Sequence, residues 1–129
     1  MTIGLEHIKN NEIEEACYNS DADGFIRETP FGYKTVLGEN ASNISMGQKQ
    51  RLAIARALLH SPDIVIFDES TSNIDVETER VVLKRILDAR RGMTTIFITH
   101  NNDLTDYFDT LFFMENGVIV EKPQGVDYK

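Results

Sequence analysis

Apolar residues in the middle of the chain follow a helical spacing and then form a continuous run. Between residues 46 and 59 they recur every three or four positions, which is typical of an amphipathic helix, and Pro62 stops the segment. Residues 64–67 then read Ile-Val-Ile-Phe. A short run of this kind predicts a strand that is buried on both faces.

The same alternation continues towards the C-terminus. Apolar residues between 82 and 87 again recur at helical spacing, with Asp75 as the expected cap and Gly92 beyond the helix end. Residues 94–99 are β-branched and aromatic, so they predict a second strand. Helices that alternate with strands indicate an α/β fold with a mostly parallel sheet and crossover helices.

The last part of the chain carries a strong turn signal. Asn116 and Gly117 lie between residues 110–114 and residues 118–121, which are mostly apolar, and an Asn-Gly pair in this setting predicts a β-hairpin. A short helical turn around residues 102–107 is expected to precede it.

The first 45 residues have a more polar and acidic pattern. Asn10 or Asn11 is expected to cap a helix that runs to about residue 18, because three glutamates fall in its first turn. A second short helix is expected over residues 22–28, since the Thr-Pro pair that follows disfavours helical dihedrals. We therefore predict a small helical subdomain over residues 1–45 and the main core over residues 46–129.

Composition and charge exclude several classes of protein. With 129 residues, 41% hydrophobic and 26% charged, the chain has the size and composition of one globular domain. Its formal net charge of -8 argues against binding to nucleic acid or to an anionic membrane surface. The single cysteine excludes an internal disulfide. The apolar runs are far shorter than the roughly 20 residues that cross a bilayer, so no direct bilayer insertion is expected.

A serine and a glutamine stand at the start of the helix over residues 46–59. Ser45 and Gln48 have the spacing of a capping box, in which each side chain hydrogen-bonds the backbone of the other residue. That pattern alone indicates only a well-capped helix. Gly47 in the first turn lowers helix stability but lets backbone N–H groups approach a ligand, so the helix start is also a candidate phosphate site.

Two adjacent carboxylates follow the first predicted strand, and a histidine follows the second. Asp68 and Glu69 are expected at the carboxyl end of the strand, where open α/β sheets bind ligands. One acid can hold a metal ion while the other orients or deprotonates a water that attacks a phosphoanhydride. The alternative is a strand that ends in solvated carboxylates. His100 is expected at the same sheet edge, although an isolated histidine is more often a structural or surface residue.

Together these stretches resemble the second half of the ATPase domain of ATP-binding cassette (ABC) transporters. Residues 44–51 read Ile-Ser-Met-Gly-Gln-Lys-Gln-Arg and are similar to the family signature Leu-Ser-Gly-Gly-Gln with its Gln-Arg extension. Residues 64–69 resemble the Walker B motif, residues 70–75 the D-loop, and His100 the switch histidine. Met46 replaces the usual glycine, and we expect it to weaken the contact with ATP without abolishing it.

The resemblance implies an ATP-binding role for four residues of the signature and the D-loop. Ser45, Gly47 and Gln48 are implied to contact ATP that a second nucleotide-binding domain holds. Asp75 is implied to take part in contacts across that dimer, near the two ATP sites.

It also implies chemistry at the sheet edge. Asp68 is implied to bind Mg²⁺, Glu69 to act as general base and His100 to contact the γ-phosphate, so the implied cofactors are ATP and Mg²⁺. The implied fold is a partial P-loop NTPase (RecA-like) fold, preceded by the helical subdomain and ending in the hairpin.

No Gly-x-x-x-x-Gly-Lys-Ser/Thr motif occurs in the sequence, so the chain resembles only the C-terminal half of the domain. Without that backbone cradle and its lysine, the isolated chain is expected to bind ATP weakly and not to hydrolyse it. It is also expected to associate, because the sheet lacks its flanking strands.

The subclass that the resemblance favours is an exporter. Residues 35–40 are similar to the short loop that precedes the signature in ABC exporters, and residues 31–33 also fit the exporter pattern. The implied function is ATP hydrolysis coupled to export across a membrane. The implied partners are the transmembrane domain of an exporter and a second nucleotide-binding domain, at the cytoplasmic face of the cell membrane.

Two other functions remain open. The chain could be a non-catalytic, truncated fragment that acts only as an interaction module. It could also belong to the DNA-repair or chromosome-organising ATPases, which share the signature, the carboxylate pair and the switch region. Those proteins need a basic surface or a long coiled coil, and the acidic charge and absent heptads argue against them.

Overall fold

The computed structural model describes residues 8–38 and 43–122, and the chain divides into two compact units, Met1–Ile98 and Thr99–Lys129. The first unit combines helices with a parallel sheet, which confirms the predicted α/β class. Its elements are α1 (Asn10–Asn19), α2 (Asp23–Arg27), a 3₁₀ turn (Gly32–Lys34), α3 (Met46–Leu59), β1 (Ile64–Asp68), α4 (Val76–Ala89) and β2 (Thr94–Ile98).

Strands β1 and β2 are parallel neighbours joined by the crossover helix α4. Their register pairs Ile64 with Thr94 at one end and Asp68 with Ile98 at the other. The carboxyl ends of both strands therefore lie at one edge of the sheet, as the sequence predicted.

One face of this sheet forms the core with α3 and α4. Val65 and Phe67 of β1 pack in one buried cluster with Ile54 of α3 and with Val82 and Ile86 of α4. Burial of each such side chain contributes roughly 1.5–3 kcal/mol to the hydrophobic stabilisation. We call this side of the sheet the covered face.

The opposite side, which we call the bare face, is apolar and exposed. Ile64 and Ile66 are each 60% exposed, Ile96 43% and Ile98 49%. The prediction that β1 is buried on both faces is therefore wrong for this chain, because α3 and α4 cover only one of them. Asp68, two residues after Ile66, also belongs to the bare face, since side chains alternate along a strand.

The N-terminal helices pack on the other side of α3. Ala16 and Cys17 of α1 form a second buried cluster with Ala22 and with Ala55 of α3. The prediction that Asn10 or Asn11 caps α1 is wrong, because Asn10 is already the first helical residue and Lys9 holds the cap position. The Glu12 carboxylate accepts a hydrogen bond from the Lys9 backbone N–H at 2.9 Å.

Asp21 connects these helices to the core helices by charge. Its carboxylate accepts hydrogen bonds from Arg51 of α3 at 2.7 Å and from Arg85 of α4 at 3.2 Å. Arg51 and Arg85 also donate to the backbone carbonyls of Asp21 and Tyr18. One carboxylate thus holds three parts of the unit together.

The second unit contains a 3₁₀ helix (Asn102–Tyr107) and a hairpin of β3 (Leu111–Glu115) and β4 (Val118–Lys122). Asn116 and Gly117 both have positive φ, 51° and 78°, as a two-residue type I′ turn requires. The predicted helical turn and hairpin are confirmed.

Candidate functional site

The start of α3 has the predicted capping box. The Gln48 backbone N–H donates to Ser45 Oγ at 3.1 Å, and the Ser45 backbone N–H donates to Gln48 Oε1 at 2.9 Å. Ser45 and Met46 are both exposed. The positive end of the α3 dipole therefore faces solvent, and an anion can reach it.

Gly47 has a requirement inside the chain that the sequence did not reveal. A Cβ atom at this position would lie 2.7 Å from the backbone carbonyl oxygen of Asn73, a distance that real Cβ atoms essentially never show. The glycine thus lets the loop of residues 69–75 pack directly on the first turn of α3. Close approach of a ligand to Gly47 stays a prediction.

Gln50 makes a second contact between α3 and this loop, for which the sequence carries no local signal. The Asn73 backbone N–H donates to Gln50 Oε1 at 2.9 Å, and Gln50 Nε2 donates to Ser72 Oγ at 3.1 Å. Gln50 lies three residues after Gly47, on the same helix face. This spacing predicts a contact with the loop only when the loop is already known to pack on that face.

The two carboxylates lie at the predicted edge of the sheet. Asp68 is the last residue of β1, Glu69 follows it, and both are exposed. The Glu69 backbone N–H donates to the Ile98 carbonyl at 2.9 Å, which extends the pairing with β2 by one step.

Glu69 has a strained backbone. Its φ of 46° lies in the left-handed region, which is sparsely populated by residues other than glycine and costs of order 1–3 kcal/mol. Such strain persists where the surroundings hold the residue in place, and it is common at functional sites.

The loop after Glu69 is fixed by buried and capping contacts. Thr71 Oγ1 donates to Glu79 Oε1 at 2.6 Å, and both residues are buried. The Thr78 backbone N–H donates to Asp75 Oδ1 at 3.0 Å, which confirms Asp75 as the cap of α4. Hydrogen bonds from Thr78 lower the pKa of Asp75 below its ordinary value of 3.8. Asp75 is thus a charged cap at neutral pH, and its role near ATP stays a prediction.

His100 lies two residues beyond β2 and is exposed, in the second unit. The chain order places it after the carboxyl end of β2, and its convergence with Asp68 and Glu69 stays a prediction.

The donor set suits a magnesium ion that arrives with a nucleotide. No group of three or more His, Cys, Asp and Glu side chains able to hold a metal occurs within residues 8–38 and 43–122. Mg²⁺ is commonly held by one or two carboxylates, several waters and substrate phosphates. The exposed carboxylate of Asp68 fits that arrangement and does not form a complete metal site by itself.

Over the described ranges, no helix combines the length and the apolar character that crossing a bilayer requires.

Comparison with known proteins gives consistent matches. The family described as "ABC transporter" matches residues 4–72 of the chain. ABC transporter B family member 16 of Arabidopsis thaliana is 45% identical over 121 residues, which cover 94% of this chain and 10% of that protein. The ATP-dependent lipid A-core flippase of Saccharophagus degradans is 42% identical over 121 residues, which cover 94% of this chain and 21% of the flippase.

A solved structure shows the same fold. The structure of a bacterial Atm1-family ABC exporter with ATP bound superposes with a TM-score of 0.79 at 35% sequence identity, and the match covers 88% of this chain and 20% of that one. The chain thus spans between about a tenth and a fifth of the length of these relatives.

Proposed function

Because this chain belongs to the ABC transporter family, as a fragment of an exporter-type nucleotide-binding domain, we propose that it supplies the signature helix and the catalytic carboxylate of an ATPase that drives export. The observation that carries this proposal is the packing of Asn73 on Gly47, which joins the exposed start of α3 to the loop that begins at Glu69.

The start of α3 binds the terminal phosphates of ATP in this proposal. Ser45, Gly47 and Gln48 contact a nucleotide that a second domain holds, because the exposed first turn offers the positive end of the helix dipole. Met46 is 60% exposed, and a methionine in place of the family's usual glycine adds bulk at this helix start, so it weakens the contact.

The carboxyl edge of the sheet performs the hydrolysis. Asp68 would hold Mg²⁺, which would supply positive charge to offset the charge that develops on the phosphates of ATP. Glu69 orients and deprotonates the attacking water, and His100 donates a hydrogen bond to the γ-phosphate. Asp75 contributes contacts between this domain and the second nucleotide-binding domain, near the two ATP sites of the dimer.

The partners are the transmembrane domain of an exporter and a second nucleotide-binding domain, and the location is the cytoplasmic face of the cell membrane. Phe31 and Val36 support a protein contact in the predicted exporter loop region, since they are 75% and 86% exposed. In this assignment residues 1–45 belong to the helical subdomain and residues 46–129 to the ATPase core.

The isolated chain binds ATP weakly and does not turn it over. Its sequence has no phosphate-binding loop, which would provide most of the contacts to the β- and γ-phosphates. Magnesium-dependent turnover by the purified 129-residue chain would contradict this part of the proposal.

A chimera tests catalysis directly. The matching 121-residue segment of the Saccharophagus flippase is replaced by this chain, and ATP hydrolysis is measured with and without Glu69→Gln. We expect hydrolysis in the chimera and a loss of roughly a hundredfold or more in the variant, the scale of general-base catalysis. A folded chimera that binds ATP and is inactive, or a variant as active as its parent, would overturn the proposal.

The bare face favours one second candidate, a non-catalytic interaction module. Its isoleucines present an apolar surface of the kind that binds another protein. An inactive chimera combined with stable binding of the chain to an ABC subunit would support that function.

A further inference from the structure

Helix α3 contacts both the backbone carbonyl and the backbone N–H of Asn73. The carbonyl oxygen of Asn73 packs against the bare Cα of Gly47, and its N–H donates to Gln50 Oε1 at 2.9 Å. Gly47 and Gln50 lie on one face of the helix, because residues three apart are neighbours. The amide of Gln50 also donates to Ser72 Oγ at 3.1 Å.

These contacts hold the part of the loop that lacks buried anchors. The loop is fixed at one end by the Glu69 N–H on the Ile98 carbonyl and further along by the buried Thr71–Glu79 hydrogen bond. Ser72 and Asn73 are exposed, and the Gln50 side chain of α3 hydrogen-bonds both. The strained φ of Glu69 requires a loop that is held at several points.

We propose that Gln50 is a positioning residue that fastens residues 69–75 to α3, so that the phosphate-facing helix start and Glu69 move as one body. Its consequence for catalysis rests on the proposed function, since it assumes that Glu69 acts on a nucleotide. The hydrogen bonds of Gln50 to Ser72 and Asn73, which we call the Gln50 clasp, form within the isolated chain and can be measured without any ligand.

The test compares two substitutions of Gln50 by amide hydrogen exchange in NMR spectra of the 129-residue chain. Gln50→Met keeps the length and helix propensity of the side chain but removes the acceptor, and Gln50→Glu keeps an acceptor for the Asn73 N–H. Arg56→Ala is the control, because Arg56 is an exposed residue of the same helix.

We expect Gln50→Met to speed exchange of the Asn73 N–H by about fivefold, the scale of one net hydrogen bond, and to shift the amide signal of Glu69. Gln50→Glu restores slow exchange, and Arg56→Ala leaves the loop signals unchanged. The amide chemical shifts in the core of α3 and β1 stay as in the wild type in all three variants, because the change is confined to the loop.

Asn73 exchange that is equally fast in wild type and Gln50→Met, or no rescue by Gln50→Glu, would overturn the proposal. An inactive chimera would count against the proposed function and leave these exchange rates as they are. The two failures are therefore distinguishable.

Discussion

The two faces of the β1–β2 sheet differ although the same two strands form both. The covered face is closed by α3 and α4 and contains the buried cluster around Phe67 and Ile86. The bare face is lined by four isoleucines that are 43% to 60% exposed. Within residues 8–38 and 43–122, helices α3 and α4 close one side of the sheet, whereas the other side is an apolar surface of the kind that binds a further protein segment.

The greatest loss of stability is expected from a substitution on the covered face. Ile86→Ala should lower the free energy of unfolding by about 2–5 kcal/mol, because Ile86 is fully buried and its removal leaves a cavity. Ile66→Ala is the matched control, since it deletes the same atoms from the bare face and should lower that free energy by about 1 kcal/mol or less. Urea unfolding followed by circular dichroism measures both values. Equal losses in the two variants would remove the distinction between the faces.

The second effect concerns the charge contacts that hold the covered side together. Asp21→Asn should destabilise the chain by about 1–3 kcal/mol, because two partly buried arginines lose their shared carboxylate while asparagine still tolerates the φ of 58° at this position. Asp88→Asn removes the charge of the exposed pair with Arg91 and should lower the free energy of unfolding by less than about 1 kcal/mol. If the two variants unfold alike, Asp21 does not connect the helices as described.

The third effect concerns association. Replacing Ile66 and Ile96 by threonine keeps β-branched residues but reduces the apolar area of the bare face, so self-association should weaken while the fold is retained. Ile119→Thr in the hairpin, at a residue 65% exposed, is the control for apolar surface in general. Sedimentation velocity over a concentration series measures the change. Association that responds only to Ile119→Thr would locate the contact elsewhere.

The smallest effect is a pH dependence at the α4 cap. Because the folded state lowers the pKa of Asp75, its stabilising contribution is complete above the ordinary value of 3.8 and is lost as the pH falls through the folded pKa. Asp75→Asn keeps a capping side chain without the charge and should flatten this part of the profile. Unfolding between about pH 5 and about pH 2 measures it. An identical acid slope in both proteins would contradict the lowered pKa of Asp75 in the folded state.

Local signals predicted much of this structure from the sequence. The capping box of Ser45 and Gln48, the cap at Asp75 and the Asn-Gly hairpin were all visible, because each depends on residues within a few positions of one another. The N-cap of α1 was predicted one or two residues too late, because asparagine is a common cap and lysine is not. The cap is instead Lys9, whose backbone N–H donates to the Glu12 carboxylate.

Contacts between residues that are far apart in the sequence could not be predicted from such local signals. The clasp of Gln50 on Asn73 joins residues 23 positions apart, so it depends on how α3 and the loop pack. The left-handed φ of Glu69 has no sequence signal, since glutamate rarely adopts it. Burial of β1 on both faces was inferred from an apolar run, and a run cannot show whether a second layer is present in the same chain.

Whether the start of α3 receives the terminal phosphates of ATP can be measured by titrating the 129-residue chain with magnesium and ATP and following its amide signals by NMR. We predict shifts concentrated at residues 45–48, with a dissociation constant of about 1 mM or weaker, that are reduced in Ser45→Ala and absent with AMP. Shifts that avoid residues 45–48, or that AMP reproduces in full, would contradict it.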